Sequence, residues 1–316
     1  MTKMKKLASF LLATTVAMSL FAPAFAESEE VEKADMKEIV YTHSQDEYTM
    51  IKKLQTSSTN ELKEMGYSDE EIQEIKQLNY EEALYERAQL PENELRDLGH
   101  TDEQIAFMKN YDGRPLTNDE INLMSAELVE TTYPPIWPDS ASATKVVCHY
   151  YWEWKSKPVI YGTAIKDVAV IAWAGLDASG DDLPLEINTA EASAVSNYYK
   201  DGALYMQHAQ TVRVGDAWES AYVSIPGNYL GGWAKSGYFI VPIEPAISGD
   251  RIEKVQFAAS YIYNANSTSL SDIVEITSIT THISAFDVSI SVKKGVEKQA
   301  VGMVVEKSGA YNRFWK

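Results

Sequence analysis

Between residues 131 and 144 the apolar residues of this chain change their spacing, and that switch decides most of what it can fold into. Before it, apolar side chains recur at three- and four-residue intervals, as they do along one face of a helix. After it they alternate, as they do along one face of a strand. The segment between, TTYPPIWPDSASAT, carries three prolines followed by small polar residues. Proline fixes φ and gives up a backbone donor, so 131–144 reads as a semi-rigid linker.

Ahead of the switch the chain repeats itself. NELKEMGYSDEEI at 60–72 returns thirty-three residues later as NELRDLGHTDEQI at 93–105. Each copy reads as the end of one short helix, a turn, and the start of the next. Leu62 with Met65, and Leu95 with Leu98, share a helical face, and Gly66 and Gly99 then close it in the left-handed region. Ser68 and Thr101 stand at N-cap positions, with Glu71 and Gln104 three residues on to complete a capping box. Tyr67 and His100 precede the caps and are placed to pack on Ile72 and Ile105 as hydrophobic staples. His100 is therefore read as a staple and not as a metal ligand, since its counterpart is a tyrosine. A third start, LTNDEINLM, puts Leu116, Thr117, Glu120 and Ile121 in the same four roles. Two copies are few for a solenoid, so 45–130 reads as a small helical domain and 27–44 as a disordered acidic segment. The joint resembles short helical segments in exported proteins of Gram-positive bacteria whose activity is unassigned. That resemblance implies an exported protein and carries no catalytic residue.

Beyond the linker, VVCHYYWEW sets Val146, Cys148, Tyr150, Trp152 and Trp154 on one face of a strand and Val147, His149, Tyr151 and Glu153 on the other. DVAVIAWAG, ALYMQHAQTVRVG, WESAYVSI, GYFIVPI, RIEKVQFAASYIY, DIVEITSITTHISAFDVSISV and QAVGMVVEK follow, divided by Gly, Pro, Asn and Asp. About eight to ten short strands with turn signals between them predict an antiparallel sandwich over 145–316. The fold class expected is thus α+β in two parts, a small all-α N-terminal domain followed by an all-β antiparallel sandwich.

The N-terminus reads as an export address: Lys3, Lys5 and Lys6, an apolar run from Leu7 to Phe21, and Ala24-Phe25-Ala26 as a cleavage site after Ala26. The mature chain is then expected to be secreted, with no stable membrane anchor. Its net charge goes from −18 to −21 once the three lysines are removed. Residues 27–130 hold 27 acids against 10 bases, while 131–316 hold 19 against 15, so a helical surface this acidic disfavours nucleic acid as a partner. Cys148 is the one cysteine, which excludes an intramolecular disulfide and a paired-cysteine metal site.

Catalytic patterns are missing: the chain has no G-x-S-x-G, no Walker loop and no H-E-x-x-H. His43, His100, His149, His208 and His282 are scattered, and their convergence is a matter for the fold. Asp177, Ser179 and Asp181 alternate like the first oxygens of a calcium loop, the single cofactor candidate. Asp182 and Asn188 stand where such a loop needs Gly and Glu, and a polar hairpin turn is the plainer reading. Aromatic residues are the other candidates. The stripe Tyr150, Trp152, Trp154 suits a core or a sugar-stacking surface, and its neighbours Val146 and Cys148 favour burial. Tyr229 and Trp233 flank Gly231-Gly232 in a turn and, with Trp218, are the expected ligand contacts. The function expected is a non-catalytic binding or interaction protein acting outside the cell or at the wall, on a cell-wall glycan or an extracellular protein. The alternatives are a β-pore-forming protein, suggested by Ser/Thr alternating with Ile/Val over 266–292, and an enzyme with an unrecognised site.

Overall fold

The helical joints form as the caps dictate. In the computed structural model the described residues are 41–64, 67–139, 141–160, 166–215, 219–263, 274–281, 285–292, 301–306 and 311–315. The expected signal peptide and residues 27–40 lie outside them. Seven short helices span Glu47–Thr56, Thr59–Glu64, Asp69–Gln77, Tyr80–Ala88, Glu92–Asp97, Asp102–Met108 and Asn118–Met124. Reciprocal capping boxes close on Ser68/Glu71, Thr101/Gln104 and Thr117/Glu120. Tyr67, Ile72, His100 and Ile105 are all buried, as the staples require. Gly99 takes φ +88°, and a Cβ there would meet the Lys155 carbonyl oxygen at 2.8 Å. Glycine is needed at that joint for conformation and for close approach alike.

The strands are β1 (Tyr41–Asp46), β2 (Glu127–Ile136), β3 (Val146–Trp154), β4 (Lys166–Leu176), β5 (Asp182–Leu183), β6 (Leu185–Ile187), β7 (Ser193–Lys200), β8 (Ala203–Ala209), β9 (Arg213–Val214), β10 (Ser220–Pro226), β11 (Asn228–Tyr229), β12 (Gly232–Pro245), β13 (Lys254–Ile262), β14 (Val274–Thr281), β15 (Ala285–Val292), β16 (Val301–Glu306) and β17 (Tyr311–Trp315). They make two antiparallel sheets. The first runs β1-β2-β3-β12-β7-β8, with β6 and β11 also on β12; the second runs β17-β16-β13-β4-β10-β9, with β5 on β4. β14 and β15 pair with each other as a two-stranded ribbon.

Two sequence boundaries shift. Residues 41–44, expected in a disordered segment, belong to β1 and pair with β2 from Tyr41↔Thr132 to Asp46↔Glu127. Residues 131–136, expected as linker, are the second half of β2. Its prolines are tolerated because the register on β3 breaks between Tyr133 and Ile136, around Pro134 and Pro135. Residues 40–316 form one compact unit, and helices and sheets share a single apolar core.

That core is built by the inward stripe of β3. Val146, Cys148, Tyr150 and Trp154 are fully buried and Trp152 nearly so. Trp152 packs on Tyr261 of β13 at 5.0 Å between centroids, and Trp154 on Tyr263 at 5.4 Å, so the inner faces of the two sheets meet through rings. The stripe is core, and its sugar-stacking alternative falls away. Two carboxylates are buried with it. Glu130 accepts from the Tyr150 hydroxyl at 2.5 Å and the Tyr261 amide at 2.8 Å, and Asp167 accepts from the Tyr261 hydroxyl at 2.5 Å.

A clamp fastens the helices to the end of the sheets. Glu47, fully buried, accepts from the amides of Val159 at 2.7 Å and Ile160 at 2.6 Å. Arg87 takes the other edge of the same loop, donating to the carbonyls of Lys157, Pro158 and Val159 at 2.8, 2.8 and 3.2 Å. Burial pushes the Glu47 carboxyl up to about 7, against the pull of the two amides and of Arg87.

Two outcomes follow for stability. Thr101→Ala, which removes one half of a capping box, is expected to cost about 1 kcal/mol, read as a melting temperature lower by about 2–4 °C. Because Glu47 holds its proton to higher pH folded than unfolded, its contribution is complete below about 4.5 and is lost as pH rises through about 7. Denaturant titrations from pH 4 to 8 should show that decline in the parent chain and a flatter profile in Glu47→Gln.

Candidate functional site

The predicted turn contacts are not the free surface at β11–β12. Trp233 is only 4% exposed, and Trp218 lies outside the described residues. Tyr229 is half-buried, its ring 4.2 Å from His208 and 5.6 Å from Tyr198. The reason is Gly232: a Cβ there would meet Tyr205 at 3.1 Å and Tyr198 at 3.2 Å, so the bare backbone lets neighbouring strands close over the turn. The exposed apolar groups nearby are Leu204, Tyr205 and, at 67%, Leu230.

At the candidate calcium loop the chain makes a turn closed by its own first aspartate. Asp177 spends one carboxylate oxygen on the amides of Ser179 at 2.8 Å and Asp181 at 2.9 Å. Among the described residues no group of three or more His, Cys, Asp or Glu side chains could hold a metal. His149 lies on the outward side of β3, while His208 sits opposite the buried Ser196 and so on the inward side of β8; the two do not converge. His100 is in the helical part, and His282 and the side chain of His43 lie outside the description. Cys148 is buried, and burial pushes its thiol far up, which makes it inert.

What the fold does assemble is the outward face of the first sheet. Because β3 commits one side to the core, Tyr151 and Glu153 must face away from it. Pairing then builds rows across the strands. One row runs Thr131–Tyr151–Tyr238–Val195–Ala209 over β2, β3, β12, β7 and β8. Tyr133 extends it, its ring 5.1 Å from Tyr151, which is 6.2 Å from Tyr238. The next row runs Val129–Glu153–Ser236–Asn197–Gln207. It is laced by hydrogen bonds, Asn197 Nδ2 donating to Ser236 Oγ at 3.0 Å and Gln207 Nε2 to Asn197 Oδ1 at 2.9 Å. Beyond it lie Tyr199, paired with Leu204, and Lys235, whose ammonium stands 4.9 Å over the Tyr199 ring. Lys155 also flanks this side, bonded to Glu153 at 2.8 Å.

Partial burial raises the pKa of the Tyr151 and Tyr238 hydroxyls and lowers that of the His149 imidazole. The Tyr151 and Tyr238 hydroxyls are therefore neutral at neutral pH, and the charged groups along this side include Glu127, Glu153, Lys155 and Lys235. Such a face can bind by ring contact and hydrogen bonding. Sequence reasoning set Tyr151, His149 and Glu153 on this side of β3 without assigning them a role. The signal lay in the partner strands: Tyr238, Ser236 and Asn197 acquire meaning only through register.

No family model matches the chain, and no curated protein does. Among solved structures, a collagen-binding domain from a Staphylococcus aureus adhesin aligns at 9% identity over 55% of this chain and 94% of that one, with a TM-score of 0.27. A Streptococcus parasanguinis structure concerned with adhesion by Fap1 fimbriae aligns at 10% identity over 52% and 72%, with a TM-score of 0.22. The KRT10-binding region of the pneumococcal serine-rich repeat protein PsrP aligns at 12% identity over 46% and 84%, with a TM-score of 0.20. Likeness of this degree carries no argument about the ligand of this chain.

Thiol chemistry offers a direct check of the core assignment. Cys148 in the native protein should resist a maleimide over hours and react promptly once denaturant is added, as read by mass spectrometry.

Proposed function

We propose that this chain is an exported, non-catalytic binding protein, cleaved after Ala26, whose two sheets act as a β-sandwich scaffold for contacts outside the cell. The observation that carries the reading is the outward tyrosine row of Tyr133, Tyr151 and Tyr238 beside the Ser236–Asn197–Gln207 ladder. Tyrosine supplies large contact area at low entropic cost, and short polar side chains supply adaptable hydrogen bonds. Surfaces that recognise proteins are enriched in that combination. An extracellular protein is accordingly the partner favoured here, and a wall glycan is the alternative to be tested. The helices play a supporting part, held to the sheet end by Glu47 and Arg87.

The test uses the full chain and a panel of immobilised extracellular proteins and wall glycans. Tyr151→Ala/Tyr238→Ala should weaken binding at least tenfold while the melting temperature stays within a few degrees, since both rings lie outside the core. Undiminished binding by that variant refutes the assignment of the face. Dye release from liposomes by the parent chain would favour the membrane-active reading instead.

A further inference from the structure

We infer that the outward face takes an extended polypeptide laid across the strands, its backbone on the Glu153–Ser236–Asn197–Gln207 ladder and its side chains to either side. The inference rests on the reading of this face as the contact surface and adds what kind of molecule it fits. The ladder places four polar side chains on four adjacent strands, β3, β12, β7 and β8. Neighbouring strands are about 4.8 Å apart, so the polar line is about 14 Å long. On one side runs the Tyr151–Tyr238–Val195 row, and on the other Tyr199 with Leu204. Rows on one face are two residues apart along a strand, or about 6.8 Å.

A polar line between two apolar rows is the complement of an extended peptide, which carries its donors and acceptors along the centre and throws side chains alternately left and right. A sugar chain is arranged the other way, with apolar ring faces at the centre and hydroxyls at the rim. It would need rings in the middle and polar groups around them. The ladder also keeps capacity in reserve. Asn197 and Gln207 each spend one amide hydrogen within it and Glu153 one oxygen on Lys155. That leaves the Gln207 Oε1, the second Glu153 oxygen and the Ser236 hydroxyl hydrogen to meet peptide N–H and C=O groups. Charge sets the direction of preference. Lys235 stands on the Tyr199 side with its ammonium over that ring, so an acidic side chain is favoured there and apolar ones against Tyr151 and Tyr238.

The experiment measures binding of the full chain to immobilised twelve-residue peptides alternating valine with aspartate, to the same peptides with lysine in place of aspartate, and to purified peptidoglycan fragments. The expected result is binding of the aspartate series, at least fivefold weaker for the lysine series. Asn197→Leu/Gln207→Leu should weaken it at least tenfold, and Ser236→Ala gives a milder readout should the double variant fold poorly. Binding of peptidoglycan without the peptides overturns the polypeptide inference; if Tyr151→Ala/Tyr238→Ala then abolishes it, the face itself remains the contact surface. Peptide binding that survives the ladder variants overturns the inference too, as does failure to bind any of the probes.

Discussion

A strand has two sides, and what one side does is fixed by what the other has already done. In this protein the decisive commitment is made by β3, which buries Val146, Cys148, Tyr150, Trp152 and Trp154 against the second sheet. With about 25 cal/mol gained per Å² of apolar surface removed from water, two tryptophans and a tyrosine on one side leave no competing arrangement. A register slip of one residue would exchange that stripe for His149, Tyr151 and Glu153 and place a carboxylate in the core. Everything on the outward face inherits its position from that choice. Tyr238 faces out because it pairs with Tyr151, and Val195 because it pairs with Tyr238.

The buried polar groups show the same economy on the inner side. Glu130 and Asp167 are enclosed: Glu130 accepts from Tyr150 on the neighbouring strand and from the Tyr261 amide of the other sheet, and Asp167 accepts from the Tyr261 hydroxyl of the strand beside it. A buried carboxylate without such donors would be strongly destabilising, and one so supplied ties β2, β3, β4 and β13 to a single alignment. Glu47 and Arg87 do the equivalent at the sheet end, holding opposite backbone edges of the 157–160 loop. The helices are thereby part of the same body as the sheets, although their composition and charge differ so sharply.

Local chemistry was legible and distant chemistry was not. The three capping boxes, the staples and Gly99 could be placed from the sequence because each is satisfied within a few residues of itself. The β3 stripe could be placed because alternation is a local pattern. Residues 131–136 were misread as linker because proline excludes a central ladder, and nothing nearby reveals that the register on β3 breaks around Pro134 and Pro135. Trp233 was misread as exposed because a Gly-Gly turn ordinarily lies open, whereas here Tyr198 and Tyr205 close over Gly232.

The sequence by itself determined how three of the helices begin, at Ser68, Thr101 and Thr117, and which side of β3 must be dry. Those follow from forces acting over one or two turns of chain: dipoles, caps and the two-residue pleat. Only the tertiary structure decided that Tyr133, Tyr151 and Tyr238 stand together beside a ladder of Glu153, Ser236, Asn197 and Gln207. These residues come from five strands, β2, β3, β7, β8 and β12, and lie up to 105 positions apart (Tyr133 to Tyr238), and hydrogen-bonded register is what makes them neighbours.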